Sequence, residues 1–149
     1  MQLIQDLDIK QETRILLRCD LNLPQDDKGK FTDFFRLESS LPTIEYLLDK
    51  QATVFIIAHL GRPKGKPNLS LSIQPLAEIL SDQLGQKVEF IADPFDPSIK
   101  LKDKKGVFLL ENLRFWPEEE ANSLQSAQDL ISSTGSRVFI QDAFGVAHR

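Results

Sequence analysis

The segment at 58–67, AHLGRPKGKP, interleaves His59, Arg62, Lys64 and Lys66 with glycine and proline directly after the apolar run TVFII. Glycine beside fixed cations at the end of a buried strand suits phosphate, because backbone amides and positive charge can approach the anion together. The nucleotide pattern G-x-x-x-x-G-K-[ST] has one more residue between its glycines than separates Gly61 from Gly65. Pro67 also stands where that pattern places its magnesium-binding hydroxyl. The segment is therefore not a nucleotide loop of that kind, and its role has to be read from its surroundings.

Similar residues follow the other apolar runs. TRILLRC (13–19) is followed by Asp20 and Asn22, GVFLLE (106–111) by Arg114, and RVFIQ by Asp142, His148 and Arg149. Arg36 opens the helix after the first loop. Arginine is permanently charged, and its planar fork matches pairs of phosphate or carboxylate oxygens. Arginines converging on one rim of a net-acidic chain call for a small polyanion. Asp20 and Asn22 add groups suited to hydroxyls, so the expected ligand is a small hydroxylated acid phosphate.

Each residue also has a plainer reading. A single surface arginine is usually solvated or weakly paired. His59 reads equally well as a hydrogen-bonded structural histidine, and His148 as structural. Cys19, at the end of a buried strand with no histidine partner in view, reads as core. Two His and one Cys form no metal-site spacing. Lys28, Lys30, Lys64 and Lys66 read as solvated, KLKDKK (100–105) as a charge run, and Glu118–Glu120 as the acidic start of a helix.

The elements that must carry these residues are legible as alternating patterns. Strands are expected at 13–19, 53–58, 87–92, 106–111 and 137–145. Helical periodicity puts Leu37, Leu41, Ile44, Leu47 and Leu48 on one face, the firm helix beginning near Leu41 because Pro42 suits a first turn. A second helix presents Leu76, Ile79, Leu80 and Leu84 and is capped by Gly85. A third runs from Pro117 through ANSLQSAQDLISST, and DPFDPSIKLKDKK is a surface connection. Continuous apolar strands alternating with helices define an α/β fold: a parallel, doubly wound, Rossmann-like sheet with helices on both faces. Such sheets bind ligands at the carboxyl ends of their strands, where the polar residues collect. VAHR follows a strand where a helix is expected next, so the reading is of a fragment, incomplete at its C-terminus.

Composition bounds the rest. The 149 residues amount to one domain, 41% hydrophobic, with 18 Lys and Arg against 22 Asp and Glu and a net charge of −4. That balance gives no global support for nucleic-acid or anionic-membrane binding. A single cysteine suits a reducing compartment, and no apolar run approaches the ~20 residues a membrane-spanning helix needs. A cytoplasmic protein is expected.

RCDLNLP, FTDFFRL, AHLGRPKGK, LLENLRFWPEEE and QDAFGVAHR resemble, in order and spacing, the signatures of the N-terminal domain of the phosphoglycerate kinase family. The resemblance runs from about Thr13 to Arg149, so residues 1–149 are expected to be that phosphoglycerate-binding domain. It implies phosphoryl transfer between 1,3-bisphosphoglycerate and ADP, giving 3-phosphoglycerate and ATP in glycolysis. Mg2+ with ATP or ADP would be held by a C-terminal domain that this chain lacks, leaving the chain inactive alone and the full-length protein a monomer. Asp20 and Asn22, with Leu21 between them, match positions binding the glycerate part. Arg36, His59, Arg62, Arg114 and Arg149 match the family's basic patch, with Leu60 and Gly61 in the same motif. Arg36 matches the arginine that stabilises the transferring phosphoryl group. The alternative is a non-catalytic truncated relative acting as a binding or regulatory module.

The chain departs from the family pattern in places. Phe34 follows Thr32 and Asp33 where TDD is usual, placing an exposed aromatic beside the site loop. Cys19 replaces a usual Val, Gln141 a usual Asn, and Val146 a usual Thr.

Overall fold

The computed structural model describes residues 3–143. Its centre is a parallel sheet of β1 (Arg14–Cys19), β2 (Thr53–Ile57), β3 (Val88–Ile91), β4 (Val107–Leu110) and β5 (Val138–Asp142), in the order β3-β4-β2-β1-β5. Alternation along each strand divides the core into two layers. Ile15, Leu17, Val54 and Ile56 face one side, packed with Leu37, Ile44 and Leu47 of α1 (Phe35–Asp49) and with Leu76 and Leu80 of α2 (Gln74–Leu84). Leu16, Phe55, Ile57 and Phe108 face the other side, together with Leu130 of α4 (Leu124–Thr134). The doubly wound sheet expected from the sequence is thus present.

Two helices differ from expectation. α1 begins at Phe35, more than a turn before Pro42, which lies inside it. Pro42 and Glu38, whose carbonyl loses its usual donor, are both exposed, so water can serve that carbonyl, while buried Leu37 rewards the extra turn. The single helix expected from Pro117 is instead α3 (Pro117–Glu120) and α4. Asn122 at φ 54° breaks the run, and the Ser123 hydroxyl restarts it by accepting the amide of Ser126.

The connection between β3 and β4 is more than a surface linker. Leu101 is buried, and the half-buried Arg14 guanidinium ties this segment to α4. It donates to the carbonyls of Leu101 at 2.6 Å, Lys104 at 2.9 Å and Thr134 at 2.7 Å, and lies 5.1 Å from the Phe55 ring. The charge run contributes too, Lys104 pairing with Glu89 at 2.7 Å.

Topology sets the place of the site. β2 leads to α2 on one face, while its neighbour β4 leads to α3 and α4 on the other. The connections diverge between these strands, which opens a crevice at their carboxyl ends.

Candidate functional site

Buried polar side chains build the crevice. Asn112, directly after β4, is fully buried, and its Nδ2 donates at 2.8 Å to the carbonyls of both Leu60 and Leu71. Its Oδ1 accepts the amide of Arg114 at 3.1 Å. Glu111 beside it accepts the Ile73 amide at 3.0 Å and the Ser72 hydroxyl at 2.6 Å, fixing the entry to α2. These two residues pin the segment after β2 at both ends. Sequence reasoning passed over them, although two polar residues abutting a wholly apolar strand are a usable signal, since buried polar groups need partners.

The 61–65 turn is fixed by its glycines. Gly61 and Gly65 have φ of 60° and 70°. A Cβ on Gly65 would lie 2.8 Å from Cβ of Pro117, so the loop can lie against α3 only with glycine there. Its amide also donates to the Arg114 carbonyl at 3.1 Å.

From this frame runs an unbroken line of polar contacts. Arg36 Nη1 donates to Asp20 Oδ1 and Oδ2 at 3.0 and 2.9 Å. Asp20 Oδ1 accepts the Asn22 amide at 3.3 Å, and Asn22 Oδ1 accepts the Gly61 amide at 2.9 Å. The Gly61 carbonyl accepts from Arg114 Nη1 at 3.0 Å. Four segments remote in sequence therefore meet: the ends of β1, β2 and β4, and the start of α1. Leu21 and Leu60 have their side chains in the core, so within this line they offer backbone only.

The charges are arranged differently from the expected basic patch. His59 is buried, and burial first, then the Arg114 guanidinium, lower its pKa to about 4. It is neutral at physiological pH and adds no cation. Arg114 is also buried, its Nε 3.4 Å from Glu119 Oε2. Glu119 bonds Arg18 at 2.7 Å as well, so the acidic helix start includes a buried structural carboxylate. Arg36 is half exposed and held by Asp20, whereas Arg62 is exposed and has no ion pair among the described residues. Lys28, Lys30, Lys64 and Lys66 are exposed, as expected. Arg149 and His148 lie outside the described residues, as does Val146.

Other expectations resolve individually. Cys19 is buried, and desolvation pushes its thiol up to about 12, which suits a core residue and not a nucleophile. Asp142 is half-buried; burial raises its pKa, opposed by the Thr43 hydroxyl. Phe34 is not the exposed aromatic: it packs against the core with its ring centroid 6.4 Å from that of Phe31, and Phe35 is the exposed one. Gln141 Nε2 donates to the Ala143 carbonyl at 3.1 Å.

Two cavities compete as ligand sites. An open hollow of about 500 Å³ is lined by Asn22, Leu23, Pro24, Asp33, Phe35 and Arg36. A groove of about 360 Å³ beneath α4 is lined mainly by apolar side chains, including Leu16, Trp116, Leu130 and Phe139. Each cavity has one cation and each is paired, Arg18 with Glu119 and Arg36 with Asp20. Arg36 is half exposed where Arg18 is buried, and the groove's lining is mainly apolar, so a small anion is better served by the hollow. Among the described residues no group of three or more His, Cys, Asp or Glu could hold a metal ion. Nor is any described helix long and apolar enough to cross a membrane.

Fold and site together define an open parallel α/β domain with a polar, arginine-bearing crevice at its strand ends. The sequence profile of phosphoglycerate kinase matches residues 4–149, and the chain belongs to that family. It is 45% identical over 150 residues to the phosphoglycerate kinase of Borrelia garinii subsp. bavariensis, covering 98% of this chain and 37% of that protein. The Desulforapulum autotrophicum phosphoglycerate kinase is 39% identical over 153 residues, covering 100% of this chain and 38% of the relative. Among solved structures, phosphoglycerate kinase from Coxiella burnetii superposes with a TM-score of 0.83 at 35% identity, covering 98% of this chain and 36% of that one. The Pyrococcus horikoshii enzyme gives 0.84 at 33% identity, covering 100% and 38%. The chain thus spans little more than a third of the length of the relatives it matches.

Proposed function

We propose that residues 1–149 form the phosphoglycerate-binding domain of a phosphoglycerate kinase, with 3-phosphoglycerate held at the strand ends. The observation that carries this reading is the line of contacts from Arg36 through Asp20, Asn22 and Gly61 to Arg114. Asp20 and Asn22 receive the glycerate hydroxyl, assisted by backbone at Leu21 and Leu60. Arg62 and Arg149 supply charge to the phosphate, Arg114 a buried donor, and neutral His59 a polar wall. Arg36 is the catalytic cation: it exchanges its bond to Asp20 for the phosphoryl oxygens in transit between 1,3-bisphosphoglycerate and ADP, where fixed positive charge lowers the barrier.

ADP or ATP with Mg2+ is assigned to the portion of the relatives that this chain does not match. Among the described residues no cluster of three or more His, Cys, Asp or Glu is available to hold the metal. A monomeric cytoplasmic enzyme is the corresponding whole-protein reading, with neither nucleic acid nor membrane as partner.

Melting curves with increasing 3-phosphoglycerate test the site. The melting temperature should rise with ligand concentration, logarithmically once the ligand exceeds its Kd, because a ligand that binds only the folded state stabilises it. Arg62→Ala, which removes an exposed cation without a structural pair among the described residues, should require about tenfold more ligand for the same rise, at unchanged basal stability. A wild-type curve indifferent to ligand would refute the reading.

A further inference from the structure

Arg18 and Arg114 are both buried, and one carboxylate serves both. Glu119 Oε1 accepts from Arg18 Nη2 at 2.7 Å, and Oε2 lies 3.4 Å from Arg114 Nε. Glu120 stands farther out, 3.8 Å from Arg114 Nε. Arg18 Nε is buried without a hydrogen-bond partner among the described residues. The buried cluster therefore holds two cations against the single carboxylate of Glu119. Arg114 spends Nε on Glu119 and Nη1 on the Gly61 carbonyl, and the hydrogen bonds among the described residues leave Nη2 unused.

We propose that Glu119 is a positioning residue for the anion site. Gripped by Arg18 on one oxygen, it orients the Arg114 fork so that Nη1 fixes the Gly61 turn and Nη2 remains for the ligand's phosphate. The placement of Glu119 is tied to that of the loop, because Pro117, two residues earlier, is the residue against which Gly65 packs. This inference rests on reading the strand ends as a phosphate site.

Charge alone and positioning predict opposite signs. Removing a carboxylate beside an anion site should strengthen anion binding if only charge matters. In Glu119→Gln, however, an amide N–H₂ must face one of two arginine donors, so the fork loses its hold. The test is calorimetric titration of 3-phosphoglycerate into wild type, Glu119→Gln and Glu118→Gln, the last removing the same charge from an exposed neighbour. The expected result is affinity about tenfold weaker in Glu119→Gln, with Glu118→Gln unchanged or slightly tighter. Equal or tighter binding by Glu119→Gln would overturn the positioning role while leaving the site intact. Absence of wild-type binding would overturn the site reading and this inference with it. Should Glu119→Gln not fold, Glu119→Asp keeps the charge but shortens the reach. Weakened binding there supports positioning, and wild-type affinity refutes it.

Discussion

His59 illustrates how burial changes what a residue can do. Its type and place after β2 were legible in the sequence, but its charge state was not, because the arginine and low-dielectric surroundings that neutralise it come from a remote segment. Its pKa falls from the ordinary 6.5 to about 4 on folding. Between those values the unfolded chain takes up a proton that the folded chain refuses, so stability is full above about pH 6.5 and declines as pH falls toward 4. On the order of 2–3 kcal/mol should be lost across that window. Asp142, whose pKa is raised, acts in the opposite sense around the carboxylate range. Urea denaturation of wild type and His59→Gln at pH 7 and 4.5 separates the two. The variant should lose markedly less stability than wild type, and parallel losses would contradict the assignment. Arg114 teaches the same lesson, since an arginine after a strand looks solvent-facing until Glu119 is seen beside it.

At the scale of elements, strands and α2 were legible because continuous apolar runs and a glycine cap depend on local chemistry. The start of α1 and the break between α3 and α4 were not. Pro42 was tolerated because both it and the carbonyl it deprives face solvent, which sequence spacing does not reveal. The connections after β2 and β4 depend on Asn112, whose two donated hydrogen bonds hold Leu60 and Leu71. Asn112→Ala should cost roughly 2–4 kcal/mol by stranding buried carbonyls. A loss below 1 kcal/mol in chemical denaturation, within the range of ordinary surface changes, would remove Asn112 from this role. Gly65→Ala should also destabilise, by roughly 1–3 kcal/mol, since left-handed φ and contact with Pro117 both oppose a Cβ. Gly29→Ala shares the positive φ but meets nothing within 4 Å, so it should cost less. Equal costs would show that the packing of the loop on α3 is unimportant.

For the molecule as a whole, alternating strands and helices carried the doubly wound sheet, and five ordered motifs carried the family. Sheet order and the side on which each connection leaves were settled by packing, and they bring Arg36, Asp20, Asn22, Gly61 and Arg114 into one line. The central claim is that this line is where 3-phosphoglycerate binds. Amide NMR spectra recorded during a 3-phosphoglycerate titration test it most directly. Saturable shifts should cluster at Asn22, Gly61, Arg62 and Arg114 and leave Ile131 and Phe139 of the apolar groove unmoved. Shifts centred on the groove, or none at all, would contradict it.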